Sequence, residues 1–151
     1  MKPEVPRQLM TQPDSFIDEI GERLAALCQS LDIDLVLLFG SRAVGRAGPD
    51  GDIDIGVKPV CASWDVEYSM KVWHAFMQLL GRADVDVVLL PHASPLLAFH
   101  AITGGKVLYE RQPEVFRDFA LATAKRFADA KKFFDLRKER VRRFLEENAD
   151  D

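Results

Sequence analysis

The chain has 151 residues, 48% of them hydrophobic and 29% charged, with a formal net charge of −4. This is the length and composition of one globular domain with a real core, and no apolar run approaches the roughly 20 residues that span a bilayer. The acidic balance excludes a general nucleic-acid binder, and two cysteines, Cys28 and Cys61, are too few for a disulfide framework or a zinc cluster.

In chain order, the opening MKPEVPRQLMTQPD carries three prolines and no apolar stretch of the kind a signal peptide needs. Residues 1–13 are therefore expected as a flexible arm. Asp14 or Ser15 can cap a helix that runs to about Leu31, with Phe16, Ile17, Ile20, Leu24, Leu27 and Leu31 at helical spacing. Residues 34–39 read as a buried strand ended by Gly40. Residues 52–57 alternate polar and apolar with period two, the mark of a strand with one wet face, and Pro59 closes it. Ser63 can cap a helix over about 64–80 with Val66, Met70, Trp73, Met77 and Leu80 inward, and Gly81 stops it. Residues 85–90 form a third strand ended by Pro91. Ser94 before Pro95 is a helix start, that helix ends at Gly104-Gly105, and 106–109 is a fourth strand. Pro113 opens a long last helix reaching Glu147, with Phe116, Phe119, Ala120, Phe127, Ala130, Phe134, Val141 and Phe144 or Leu145 as its buried stripe. The order predicts an α/β (α+β) domain, a small mixed sheet with flanking helices. The expected organisation is a main domain over 14–112 with the helix of 113–151 packed on it.

One stretch carries chemistry. GSRAVGRAGPDGDIDI, residues 40–55, joins the first strand to the second. In a strand, residues i and i+2 share a face. Asp52 and Asp54 thus project together while Ile53 and Ile55 enter the core. Two carboxylates on a rigid element suit a hard cation such as Mg²⁺, which takes oxygen donors and is often completed by substrate phosphates. Asp86 sits in an otherwise apolar strand, so it faces either water at a site or a partner. If the third strand lies beside the second, Asp86 joins the pair, and three carboxylates can hold two Mg²⁺ ions roughly 4 Å apart. Gly40 lets backbone approach a ligand. Ser41 offers a hydroxyl, and the N–H groups after it can cradle phosphate. Arg42 and Arg46 can neutralise a polyphosphate. An Asp-x-Asp pair alone is a weak signal and equally marks a solvated strand edge. With the Gly-Ser at fixed distance and a further acid on a later strand, it becomes specific.

Gly40-Ser41, ten residues, then Asp52-Ile53-Asp54 resembles the G-S-x10-D-x-D signature of the polymerase-β-like nucleotidyltransferases. Within that family it is similar to the minimal (MNT) branch, whose motif reads GSxARGxxxxxSDIDL. Val44 stands here where Arg is usual and Gly51 where Ser is usual, with Arg42 or Arg46 placed to cover for the first. Residues 85–90 match the strand of the third catalytic carboxylate, and Gly105-Lys-Val-Leu-Tyr-Glu110 resembles the family's G-x-x-L-Y-E strand. The resemblance covers about residues 15–135. It implies a Mg²⁺-dependent transfer of a nucleotidyl group from a triphosphate. Phosphates would lie on Gly40, Ser41, Arg42 and Arg46, metal on Asp52, Asp54 and Asp86, with Asp86 helping to deprotonate the acceptor.

The stretch past residue 115 is similar, more loosely, to the tail of MntA-type antitoxins. Resemblance to the MNT branch at this size implies transfer of AMP from ATP to a tyrosine of a HEPN RNase toxin, and Cys28 and Cys61 read as reduced thiols in a cytoplasm. The alternatives are a small-molecule nucleotidyltransferase, for example one acting on an aminoglycoside through Asp65 and Glu67, an antitoxin that works by docking alone, and a nucleotide sensor without turnover. From Lys125 to Arg143 there are nine basic and three acidic residues. This run reads first as a solvated helix face and second as a docking surface for an acidic partner or RNA. Of the adjacent Phe133 and Phe134, at least one is expected at the surface. Trp64 and Trp73 read as packing. His74, His92 and His100 read as surface or satisfied residues, with His92 the only one near an end of a catalytic strand.

Overall fold

The computed structural model describes residues 19–43, 45, 51–61 and 65–149. The elements are α1 (Gly21–Ser30), β1 (Ile33–Phe39), β2 (Ile53–Pro59), α2 (Val66–Leu80), β3 (Val85–Leu89), a 3₁₀ turn (Leu90–His92), α3 (Pro95–Gly104), β4 (Lys106–Glu110) and α4 (Val115–Glu147). The strands form one mixed sheet in the order β3-β2-β1-β4. β1 is antiparallel to both neighbours, and β2 runs parallel to β3 through the α2 crossover.

β1 is central and buried on both faces, which is why it reads as an unbroken apolar run. Ile33, Val36 and Leu38 pack with Ile53, Ile55 and Val57 of β2 against Leu24 and Cys28 of α1 and Val72 and Phe76 of α2. Leu35, Leu37 and Phe39 pack on the other side with Leu90, Ala101 of α3 and Val115, Phe116 and Phe119 of α4. Burial pushes the Cys28 thiol up to about 12, against a smaller opposing pull from Arg111, so this thiol is inert packing.

Several local signals act as read. Ser94 Oγ accepts from Leu97 N, with Pro95 in the first turn of α3. Gly81 ends α2 in the left-handed region at φ +62°. Other expectations change. Asp14, Ser15, Phe16, Ile17 and Ser63 lie outside the described residues. Asp65 caps α2, accepting from Tyr68 N. The buried face of α2 is Val72, Phe76 and Leu80, whereas Val66, Met70 and Trp73 are exposed. The helix carries two apolar stripes, and the sheet takes the second. α4 opens at Val115, after Glu114 in the left-handed region, and not at Pro113.

The stripe of α4 is only half buried. Phe116, Phe119, Ala120, Phe127 and Ala130 are partly covered, and Phe99 of α3 stacks on Phe127 with centroids 4.1 Å apart. Every described residue from Lys131 onward is exposed, including Phe134, Val141, Phe144 and Leu145, which the periodicity predicts as buried. Among the described residues no helix is long and apolar enough to cross a membrane.

Candidate active site

The three carboxylates meet at one end of the sheet. β2 alternates as expected, so Ile53 and Ile55 enter the core while Asp52 is exposed and Asp54 half-buried. Asp54 and Asp86 are register partners in the parallel β2–β3 pair, so their side chains leave the same face side by side. Farther along that face Leu90 packs closely over Gly56, where an added Cβ would meet Leu90 Cδ2 at 2.8 Å. The acids lie at the uncovered end. An open depression of about 460 Å³ is lined there by Asp52, Asp54, Trp73, Ala83, Asp84, Val85 and Asp86.

None of Asp52, Asp54 and Asp86 forms an ion pair with a described residue. The Asp54 carboxyl is held above the ordinary carboxylate value by burial first, then by the charges of Asp86 and Asp52. Asp84, the fourth acid, is different. Arg82 donates to both its oxygens and holds it below the ordinary value.

Gly40 follows β1 at φ +73°, a conformation that favours glycine. A Cβ there would run into the Asp54 carboxylate. Ser41 is exposed in the turn that follows, and Gly45 N donates to Arg42 O at 3.2 Å. Arg42 Nε donates to Gly51 O at 3.0 Å, and Arg82 Nη2 donates to the same carbonyl at 3.2 Å. Two guanidinium groups thus hold the peptide just before Asp52. Arg46 lies outside the described residues, as do Val44 and Trp64.

Arg82 is a residue that sequence reasoning missed. Its signal is Arg-Ala-Asp just before the third strand, too common to single out. Trp73 is a second. Its Nε1 donates to Val85 O at 2.9 Å, and the residue is 41% exposed beside the acids, so it forms a wall of the depression rather than core packing. Asp65 and Glu67 do not line the depression, and Asp65 is engaged as a helix cap. His92 follows the far end of β3, whereas Asp86 is the second residue of that strand, so the strand alone separates them by about 10 Å.

The donor set fits Mg²⁺ by its chemistry: clustered hard oxygen ligands, a carboxyl on Asp54 raised by its acidic neighbours, and no cation paired to them among the described residues. Among the described residues no three carboxylate, imidazole or thiol groups converge tightly enough to enclose an ion by themselves. Such a site leaves coordination positions to substrate phosphates and water.

Residues 22–114 match the family model described as Polymerase beta, Nucleotidyltransferase. The chain belongs to the polymerase-β nucleotidyltransferase family. The matched span runs from α1 through β4 and includes every acid of the depression. A curated relative, the protein adenylyltransferase MntA of Aphanizomenon flos-aquae (strain 2012/KM1/D3), is 28% identical over 120 residues, covering 74% of this chain and 80% of that one. Two solved structures share the fold. A toxin–antitoxin crystallised with AMP-PNP superposes with a TM-score of 0.68 at 24% identity, over 80% of this chain and 97% of that one. An MNT antitoxin in complex with a tri-AMPylated Shewanella oneidensis HEPN toxin gives 0.65 at 23% identity, over 83% and 98%.

Proposed function

We propose that the protein is a Mg²⁺-dependent protein adenylyltransferase that moves AMP from ATP to a tyrosine hydroxyl of a HEPN toxin and thereby acts as its antitoxin in the cytoplasm. The observation that carries this reading is the register pair Asp54–Asp86, with Asp52 beside it and no cation paired to the three among the described residues. The adenylyltransferase name of the Aphanizomenon relative and the AMPylated toxin in the Shewanella complex support the choice of AMP and of a protein acceptor. The unoxidised thiol of the buried Cys28 supports a reducing compartment.

In this reading Asp52, Asp54 and Asp86 hold the metal, and the Gly40–Ser41 turn receives the triphosphate with Arg42 and Arg46 opposite its charge. Mg²⁺, when bound, supplies charge neutralisation on the α-phosphate and the leaving pyrophosphate. The chain's own work is positional. Gly40 leaves the space in which the Asp54 carboxylate stands. Arg42 and Arg82 fix the Gly51 carbonyl and with it the start of β2. Asp86 accepts the proton of the tyrosine hydroxyl. The phenolic oxygen forms its bond to the α-phosphorus as the bond to the β-phosphoryl oxygen breaks, and pyrophosphate leaves.

The test is intact mass spectrometry of a HEPN-domain protein from the same genome, mixed with this chain, Mg²⁺ and each NTP in turn. The expected result is one or more added AMP masses with ATP alone, absent with Asp52→Asn/Asp54→Asn. A stable complex with no mass gain would indicate neutralisation by docking. Gain on a small aminoglycoside instead would move the acceptor to a small molecule.

A further inference from the structure

The second half of α4 has no counterpart in the rest of the domain. At 3.6 residues per turn, Phe116, Phe119, Ala120, Thr123, Phe127 and Ala130 lie within an arc of about 140°. That is the face by which α4 packs on α3 and the sheet. Phe133, Phe134, Val141, Phe144 and Leu145 continue the same arc. Nothing in the described chain covers them: Phe133, Phe134, Phe144 and Leu145 are 58–74% exposed. Scattered apolar residues on a surface need no explanation, but five of them along one face of one helix, interrupted only by Arg137 and Lys138, mark a contact surface.

Its charges say what covers it. Arg137 and Lys138 fall inside the arc and Arg140 at its edge, and none of the three is in an ion pair among the described residues. Asp135, Glu139 and Glu146 lie on the opposite side of the helix, paired with Lys131, Arg143 and Arg142, and Asp129 lies on the flank outside the arc, paired with Lys132. The stripe is therefore aromatic and aliphatic with unpaired cations and no carboxylate. A second copy fits it badly, because two such helices laid together would set Arg137, Lys138 and Arg140 against their own kind. An RNA would use the cations and stack bases on the phenylalanines but leave Val141 and Leu145 in water, and the chain's net charge of −4 disfavours it.

We propose that this stripe, Phe133 to Leu145, is the docking surface for the acceptor protein, which meets it with an amphipathic helix bearing an apolar ridge edged by Asp and Glu. The inference rests on the reading above that the acceptor is a protein. It separates capture from chemistry: α4 holds the partner while the β2–β3 end of the sheet carries out the transfer.

Two variants test it, Phe134→Glu/Leu145→Glu and Arg137→Glu/Lys138→Glu/Arg140→Glu. All five side chains are exposed in the free chain, so the folded chain should be unchanged, as circular dichroism and the melting temperature will verify. Calorimetric titration with a full-length HEPN-domain protein from the same genome should show binding to the wild type, weakened about 100-fold or more in each variant. Mg²⁺–ATP binding should stay as in the wild type. Undiminished binding by both variants overturns the proposal, as does the absence of binding to the wild type. A wild-type dimer in analytical ultracentrifugation that Phe134→Glu/Leu145→Glu dissolves overturns it in favour of a second copy. Binding of a single-stranded RNA oligonucleotide in place of the protein overturns it in favour of RNA. Loss of binding in both variants, with no AMP transferred by the wild type, would leave the docking surface standing and remove the transfer reaction alone.

Discussion

Gly40 and Asp54 touch across the β1–β2 pair, so that the space a side chain would occupy on the first is taken by the carboxylate of the second. Phe39, the residue before Gly40, is the register partner of Asp54. The glycine of the motif therefore serves the aspartate of the motif directly, besides shaping the turn. Gly40→Ala meets two obstacles, the carboxylate and the backbone at φ +73°. We expect a stability loss of about 1 kcal/mol from the backbone alone. Displacing Asp54 should lower AMP transfer by on the order of 100-fold. Thermal melts and single-turnover mass spectrometry on the same samples will check both.

Asp54→Asn should separate stability from function. Burial and the charges of Asp86 and Asp52 raise the Asp54 carboxyl above its ordinary 3.8. Its ionised form therefore costs the folded state at neutral pH. The variant is expected to melt higher than the wild type at pH 7 in the absence of metal, while transfer falls on the order of 1,000-fold. The folded state binds this proton more tightly than the unfolded one, so the wild type regains stability as pH falls through the raised value. The difference in melting temperature should shrink on acidification. A difference that is flat with pH would show that the charge is balanced by a cation.

Arg82 joins Asp84 to the Gly51 carbonyl. Arg82→Ala should leave the global melting temperature nearly unchanged, since exposed or half-exposed ion pairs contribute little. It should free the peptide before Asp52 and release Asp84 as an additional unpaired acid. We expect kcat/KM for ATP to fall about tenfold, within the usual range for loss of one positioning contact. An unaltered kcat/KM would mean that the Arg42 contact to Gly51 holds the loop by itself.

Trp73 stands in the wall of the depression. Its emission should change on addition of Mg²⁺–ATP, and the change should vanish in Trp73→Phe. The other tryptophan, Trp64, remains in that variant as the internal control.

The two faces of burial can be compared by single truncations. Phe76 is 1% exposed and closes the core under the sheet, so Phe76→Ala is expected to cost about 3–5 kcal/mol by chemical denaturation. Phe144→Ala, on the free half of α4, should lie within about 0.5 kcal/mol of the wild type.

Much of this molecule follows from short-range rules that need no neighbour. The period-two alternation of 52–57 places Asp52 and Asp54 opposite Ile53 and Ile55, because a strand has only two sides. The apolar run of β1, the Ser94 cap and the Gly81 stop are equally local. Tertiary structure decided what depends on distant elements. Asp86 joins the pair because α2 returns the chain so that β3 lies parallel to β2 in one particular register. Arg82, Arg42 and Gly51 meet only once that return is made. Periodicity marks Val66, Met70 and Trp73 of α2 as inward, but the packed sheet takes Val72, Phe76 and Leu80 and leaves Trp73 in the wall of the depression. The same holds for α4. Its 33 residues rise about 50 Å, whereas strands of five to seven residues extend only about 17–24 Å. A helix so much longer than the sheet beneath it runs out of domain before it runs out of apolar stripe.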